Sequence, residues 1–553
     1  MIKSENKHNS WVFLIILVLI VGLIIYYRLK MHLYLWPAYD TYDLLANAAL
    51  FAGKGIGYSD LLRPPLLPFL TSIYFMFDGL SITPILVVDG FLCIFGSIGL
   101  YLFLKERFNP LISFVGSLLY ITSPLILVNA AAGYNDIPSV SLGIWALYLT
   151  YLGVKRNSKF FYLAFPMAML AFLTKYNMAL LIFPMLLYIF MSWKEIKKPK
   201  TILSGMFLGA LLLVPVLLFL NMKLGNPLYP FMSFFGTSGG SSASSLHFAY
   251  NPDLLYYLKR MPVYLGNTAL LIVFSTLFGL LVYIYQKMDK IRLFNWKQIK
   301  KDGNKTSLIV FLAILTVLLF TFGKVHYIVS EIFLFALIYL IFKISSRLGW
   351  DCKMDLLFLS WFATFFVFHS AYVTKDHRYF IFMIAPVTYF LVRGLSFTIE
   401  TLRFDFKNKN ISLYAFSAFL LILMTLFTFS QFEIIEKANM GNKLFNDEVY
   451  DACNWLKKYD PNYRSKVVYA DYWAMFSWHL KMDVGKMPLF RNNQRILLGA
   501  EDKNITEEDK KAYDRELNRT NPDYYFFTWG KINFTNYKPI KIFGEVTVYE
   551  RIE

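Results

Sequence analysis

Three cysteines in 553 residues, Cys93, Cys352 and Cys453, stand too far apart for a metal-ligand spacing or a disulfide framework. Histidine is also sparse, with seven residues and no His/Cys cluster. No G-x-x-x-x-G-K-S/T, G-x-S-x-G or H-E-x-x-H motif occurs, which argues against nucleotide hydrolysis and zinc peptidase chemistry. Energy for any reaction is therefore expected from the substrate itself. Charged residues make up only 17% of the chain. The net charge is +18, yet residues 431–553 carry 19 Lys+Arg against 19 Asp+Glu, so the excess lies in residues 1–430. It is spread there over short loops and forms no basic patch, so no nucleic-acid partner is expected.

What the chain has in abundance is apolar length. Hydrophobic residues are 57%, aromatics 19%, and the mean hydropathy is +0.47. Repeated runs near twenty residues mark a polytopic membrane protein. Thirteen spans are expected, at about 11–27, 83–104, 110–128, 138–154, 160–174, 176–192, 202–221, 267–285, 307–322, 327–342, 354–371, 379–395 and 412–430. The first reads as a signal anchor, because no small-residue cleavage site follows Tyr27. With the N-terminus in the cytoplasm, the inner segments KERFN, VKRNSK, SWKEIKKPK, QKMDKIRLFNWKQIKKDGNKT, KISSRLGWDCK and LRFDFKNKN hold 22 Lys/Arg, whereas all outer loops before the tail hold 11. The positive-inside rule is satisfied, with Arg28 and Lys30 just beyond the first span as the exception. The chain is thus expected in the plasma membrane, its C-terminal domain extracytoplasmic and lipids around its spans.

Two domains are expected, a membrane domain over 1–430 and a soluble α/β domain over 431–553. The second shows helical spacing over Asp447–Tyr459 and strand-like runs at Lys466–Ala470, Tyr524–Thr528 and Ile540–Tyr549. Sequons at Asn504, Asn518 and Asn533 suit an exported domain. The outer loop 222–266 opens with NMKLGNPLYPF and continues into Gly236–Ser245, GTSGGSSASS, a flexible composition. The fold class is therefore all-α and polytopic, with about thirteen transmembrane helices, interfacial helices in the first outer loop, and a small outer α/β domain.

Polar chemistry concentrates between Pro37 and Phe69, PAYDTYDLLANAALFAGKGIGYSDLLRPPLLPF. Leu44, Leu45, Ala48 and Phe51 recur at helical spacing, as in a helix lying along a membrane surface. Asp40 and Asp43 lie three apart on one face of it, roughly 5–6 Å between Cβ atoms. Either could instead be a helix-start signal, Asp40 as N-cap and Asp43 as a first-turn acid. Asp136, in GYNDIPSV, opens a span on the same side and has the same two readings. Lys175 interrupts an apolar stretch at an outer turn, either snorkelling or facing a wet cavity. His377-Arg378-Tyr379 opens a late span, where a guanidinium suits a lipid phosphate or anchors at the interface, and Arg63 shares both readings. A transporter or flippase for a polyprenyl-linked or anionic substrate is the competing class. It would place polar groups and broken helices near mid-membrane in related halves, and the candidate charges sit mostly at span ends.

The first-loop acids, the following ALFAGKGIGY and the RPPLLPF motif resemble the GT-C class of polyprenyl-phosphate-sugar-dependent membrane glycosyltransferases. Within that class the likeness is to protein O-mannosyltransferases and lipid A aminoarabinose transferases. Asp136, Lys175, Gly225-Asn226-Pro227-Leu228-Tyr229-Pro230 and Arg378-Tyr379 extend it over about residues 10–400. The W-W-D-Y-G signature of oligosaccharyltransferases is missing. The resemblance implies transfer of a sugar from a dolichyl or undecaprenyl phosphate to a hydroxyl of a protein, lipid or glycan, on the extracytoplasmic face and with inversion. It implies Asp40, Asp43 and Asp136 as the catalytic acids, with Asp40 favoured as base. Arg63, Lys175, Tyr229, His377, Arg378 and Tyr379 are implied as substrate-binding. No cofactor follows from it, and Asp40, Asp43 and Asp136 would serve a divalent metal as readily as a proton.

Overall fold

The computed structural model describes residues 7–238, 250–292, 302–407, 409–491, 493–496 and 505–552. Most of the Gly236–Ser245 stretch and the Asn504 sequon lie outside the described residues. Each expected span coincides with helix, but the helices differ in length. Nine among the described residues are long and apolar enough to cross a membrane, and shorter apolar helices occupy Leu66–Phe77, Pro110–Ile121, Ser158–Thr174, Tyr176–Met191 and Thr306–Thr321. The expected span at 110–128 is broken into Pro110–Ile121 and Pro124–Asn129, because Pro124 supplies no amide and starts a new helix. The chain is an integral, polytopic membrane protein with a small C-terminal sheet.

The central helix Asp136–Lys155 is buried along nearly its whole length and packs between Thr83–Leu104 and Phe161–Thr174. The first helix runs on to Leu35, past the expected end, so Arg28 and Lys30 lie within it. Arg28 is fully buried and donates to the Val128 carbonyl at 2.9 Å, with His32 at 2.7 Å. A charge that reads as a topology blemish is thus a polar tie between two helices.

The last membrane helix, Ile411–Tyr459, is 49 residues long, about 70 Å at 1.5 Å per residue. The division expected at residue 430 falls inside it, and its final turns belong to the C-terminal core through Val449, Ala452, Cys453 and Leu456. That domain holds a five-stranded sheet in the order Gly485–Lys486, Val468–Ala470, Tyr524–Phe527, Val546–Arg551, Tyr537–Phe543. The first three strands are parallel and the last two antiparallel to their neighbours. The single run expected at Ile540–Tyr549 is really a hairpin, turned at Gly544 with φ 53°. Helices Trp473–Leu480 and Glu507–Thr520 complete the domain.

The first-loop helix, Tyr39–Phe51, is not spread on a surface: Thr41 through Ala49 are all buried. Tyr42, Leu45 and Ala49 share one apolar core with Phe476 and Trp478 of the C-terminal domain. It is Leu66–Phe77 that keeps an exposed apolar face, with Phe69, Ile73, Tyr74 and Phe77 outward, as an interfacial helix does.

Ion pairs mark the end of the bundle remote from this domain. Glu195 pairs with Lys155 and Lys353, Glu106 with Arg156, and Asp355 with Arg107 and Arg393. Glu106, Arg107, Lys155, Arg156, Glu195 and Lys353 come from segments that the charge rule puts on one side, and Asp355 and Arg393 from the span ends that adjoin them.

Helix Lys200–Leu224 lies close on Phe161–Thr174 because Gly205 and Gly209 have no side chain there. A Cβ on Gly205 would stand 2.2 Å from the Phe161 carbonyl oxygen, whereas one on Gly22 meets nothing within 4 Å. Gly205→Ala is expected to lower the melting temperature of detergent-solubilised protein, by the equivalent of about 1–3 kcal/mol of overpacking, while Gly22→Ala leaves it unchanged. Equal melting of the two variants would show that the helices separate freely.

Candidate active site

Ala38 is the N-terminal cap of the first-loop helix and makes no side-chain capping bond, so Asp40 falls in the first turn with its carboxylate free for other partners. The capping role is therefore ruled out. Asp40 accepts from Arg63 Nη2 at 3.0 Å and from Arg378 Nη1 at 2.9 Å. One turn on, Asp43 is 2% exposed and accepts from Arg63 Nη2 at 2.7 Å and from the Tyr58 hydroxyl at 2.6 Å. Arg63 Nε also reaches Asp60 at 3.2 Å. Asn47 holds Asp60 in turn, donating to its carbonyl at 2.7 Å and accepting from its amide at 2.9 Å.

Arg378 arrives from the other end of the chain. Asp376 accepts from its Nε at 2.9 Å, and its guanidinium lies 4.6 Å from the centre of the Tyr134 ring. Asp136 pairs with Lys175, whose ammonium sits over Tyr379 at 5.4 Å and Phe382 at 5.2 Å. These elements enclose a cavity of about 220 Å³ at the end of the bundle that carries the C-terminal domain. Asp40, Arg63, Tyr134, Asp136, Lys175, Arg378 and Tyr379 all line it.

The two neighbouring acids are tuned apart. Burial pushes Asp40 up, but the Arg63 and Arg378 guanidiniums more than offset this and hold it well below the usual carboxylate range. Burial also dominates at Asp43 and is only partly countered by Arg63 and Tyr58, so its carboxyl is raised to about 6. With both guanidiniums in place Asp40 is ionised at neutral pH, and Asp43 is the member that titrates in the mildly acidic range.

Not every residue expected at the site reaches it. Asp43 lies behind Arg63 and does not line the cavity. Tyr229 is half exposed, and Phe234 of the same helix faces the cavity in its place. His377 turns away, its side chain 54% exposed beside Asp376. Asp40, Asp43 and Asp136 form no three-carboxylate cluster among the described residues, and each is matched by a guanidinium or an ammonium, so the donor set does not fit a metal ion.

Tyr58, Tyr134 and Asp376, with His369 in the cavity wall, were not singled out from sequence, and Asp60 and Asn177 were noted there without a role. Asp89, fully buried in an apolar span, was missed too, although an acid at such depth is itself a signal. It accepts from the Gly133 amide at 2.9 Å and so secures the turn that presents Tyr134 and Asp136.

Residues 62–219 match the family model described as dolichyl-phosphate-mannose-protein mannosyltransferase. That stretch includes Arg63, Asp136 and Lys175 but not Asp40 or Arg378. No curated protein matches the chain in sequence. Among solved structures, ArnT from Cupriavidus metallidurans bound to undecaprenyl phosphate is similar at 10% identity and TM-score 0.55, covering 98% of both chains. The same protein in the apo state gives 11% identity and TM-score 0.56, again over 98% of both chains. The likeness to GT-C membrane glycosyltransferases expected from the first-loop motif is borne out by the family match and by a fold shared along the chain.

The raised carboxyl of Asp43 gives a stability test. Its stabilising contribution is complete below the unfolded value near 4 and is lost as pH rises through about 6, because the folded state prefers the protonated acid. Asp43→Asn mimics that form. Relative to the parent, the variant is expected to gain stability between pH 4.5 and 7.5, by on the order of 2–3 kcal/mol. A melting-temperature difference that stays constant with pH would show that the carboxyl is not raised.

Proposed function

We propose that the chain moves a sugar from a polyprenyl phosphate, dolichyl or undecaprenyl, to an acceptor hydroxyl on the extracytoplasmic face, with inversion. The observation that carries this reading is the Asp40 carboxylate held between two guanidiniums at a cavity walled by lipid-embedded helices. Support comes also from the undecaprenyl phosphate named with the similar ArnT structure and from the dolichyl-phosphate-mannose in the family's description.

In a single displacement, the acceptor oxygen bonds to the anomeric carbon as the bond from that carbon to the phosphate oxygen breaks. The bonding pair leaves with the phosphate, and the hydroxyl proton passes to Asp40. Positive charge grows on the sugar ring in the transition state, and the nearby carboxylate favours it. Arg378 and Arg63 meet the charge on the departing phosphate.

The resting site adds a physical condition. A carboxylate clasped by two guanidiniums is a poor base. An arriving phosphate competes for those same guanidiniums with bidentate geometry and loosens their hold on Asp40. Donor binding thereby raises the basicity of the group that must take the proton. Asp376 keeps Arg378 aimed while its partner changes. The transporter alternative draws support from no feature of the cavity, whose charged groups gather at one end of the bundle.

Incubation of membranes with radiolabelled polyprenyl-phosphate sugars, followed by isolation of the product, tests the reading. Asp40→Asn is expected to lower transfer by about 10²–10⁴-fold with donor binding intact. Arg378→Ala is expected to weaken donor binding at least tenfold. Labelled donor that crosses the membrane without cleavage would establish the transporter instead.

A further inference from the structure

We propose that the Lys375 ammonium is a positioning group for Arg378. By gathering the backbone carbonyls at the end of helix Lys353–Ala371, it fixes the turn that aims the guanidinium into the cavity. The inference rests on the donor reading above, in which Arg378 meets the lipid phosphate.

Lys375 is 5% exposed and stands in the turn 372–376, between the end of Lys353–Ala371 and the short helix His377–Phe380. Its Nζ donates to the carbonyls of His369 at 2.8 Å and Ser370 at 2.6 Å, and to that of Tyr372. The first two belong to the last helical turn, where carbonyls lack intrahelical partners and a cation is favoured. A buried ammonium with these three bonds to backbone carbonyls fixes the course of the chain. Here it does so three residues before Arg378.

The residues that follow turn this fixed course into aim. Asp376, next to Lys375, accepts from the Arg378 amide and from its Nε, each at 2.9 Å. The Asp376 carbonyl in turn accepts from the Tyr257 hydroxyl at 3.2 Å. On the preceding side, Thr374 bridges to Tyr250, and the Asn251 amide donates to the Val373 carbonyl at 2.7 Å. Arg378 Nη1 then reaches Asp40 at 2.9 Å. With an apolar residue at 375, the carbonyls of His369, Ser370 and Tyr372 lose this donor, and the turn must relax to replace it.

The same ammonium gives the turn a dependence on pH. Burial lowers Lys375 to about 8, and the charge of Asp253 opposes the shift. Asp253 is itself paired with Lys259 at 2.8 Å. The other ionisable groups around Lys375 are Tyr257, whose ring lies 5.9 Å from Nζ, His369 on the capped helix, and the adjoining Asp376. A neutral amine has two N–H donors and a lone pair, so it cannot serve three carbonyls. The hold on the turn is therefore kept at neutral pH and weakens as pH rises through about 8.

The test measures binding of a polyprenyl-phosphate hexose to the full-length chain in lipid nanodiscs, from about pH 6.5 to about 9.5. The phosphodiester of this probe keeps a single charge over that range, so a change reports on the protein. The unaltered chain is expected to lose affinity by about threefold or more across the alkaline half. Lys375→Arg, whose guanidinium stays charged, is expected to abolish that fall. Lys375→Met is expected to weaken binding by about fivefold or more near pH 7. Combined with Arg378→Ala it is expected to add less than about twofold, because it acts through that residue. A Lys375→Met chain that binds like the parent, or a loss that adds in full to that of Arg378→Ala, overturns the assignment. So does an unaltered chain with no alkaline fall, or a fall that Lys375→Arg shares. Should Lys375→Met fail to fold, the pH profiles of the unaltered chain and of Lys375→Arg decide. An unaltered chain that binds no donor near pH 7 overturns the donor reading, and this inference with it.

Discussion

The Asp40 carboxylate, bound at one oxygen by Arg63 and at the other by Arg378, joins parts of the chain more than three hundred residues apart. Asp43, Asp60, Asp376 and Tyr134 are arranged around this clasp. Charges taken out of water are tolerated only when each is paired and hydrogen-bonded, and removal of one partner strands the rest. Arg63 therefore touches three carboxylates, and Arg378 adds Asp376 and the Tyr134 face. The acids outnumber the two guanidiniums, and the raised carboxyl of Asp43 relieves part of that excess.

The C-terminal domain takes part in the same construction. Trp473 donates to the Tyr58 hydroxyl at 3.1 Å, and that hydroxyl donates to Asp43. Trp36 donates to Asp447 at 2.8 Å, and the Tyr42 hydroxyl to Asn446 at 3.2 Å. With an apolar core shared between the first-loop helix and this domain, the acids sit on a helix pinned from above and below. A helix loose at a lipid surface could not hold carboxylates in fixed register with Arg63 and Arg378. The domain thus supports the active-site loop, a role that its own sequence does not announce.

The membrane fold was legible because hydropathy and loop charge are local signals that the lipid reads directly. The first-loop acids were legible because charge between apolar runs is rare. What escaped the sequence were properties that arise only on packing. Asp40 looked equally like a cap, and only the position of Ala38 and the two arginines separates the readings. The helix Tyr39–Phe51 showed apolar periodicity, but the pattern does not say whether lipid or protein covers it, and here a distant domain does. Arg28 looked misplaced because the helix end was set by hydropathy, whereas a carbonyl from another helix satisfies it.

Asp89 shows how far the clasp depends on depth within the bundle. The turn before Asp136 needs left-handed backbone at Ala131, φ 53°, and at Gly133, φ 78°. A Cβ on Gly133 would stand 2.7 Å from the Thr41 side chain, so the first-loop helix closes directly on this turn. Thr41 donates to the Ala132 carbonyl at 3.2 Å, and Asp89 accepts the Gly133 amide from below. The turn is therefore held from the bundle and from the loop helix at once. Tyr134 and Asp136, which it carries, orient Arg378 and Lys175. The position of Asp40 is thus tied, through Thr41 and this turn, to a buried acid that does not line the cavity.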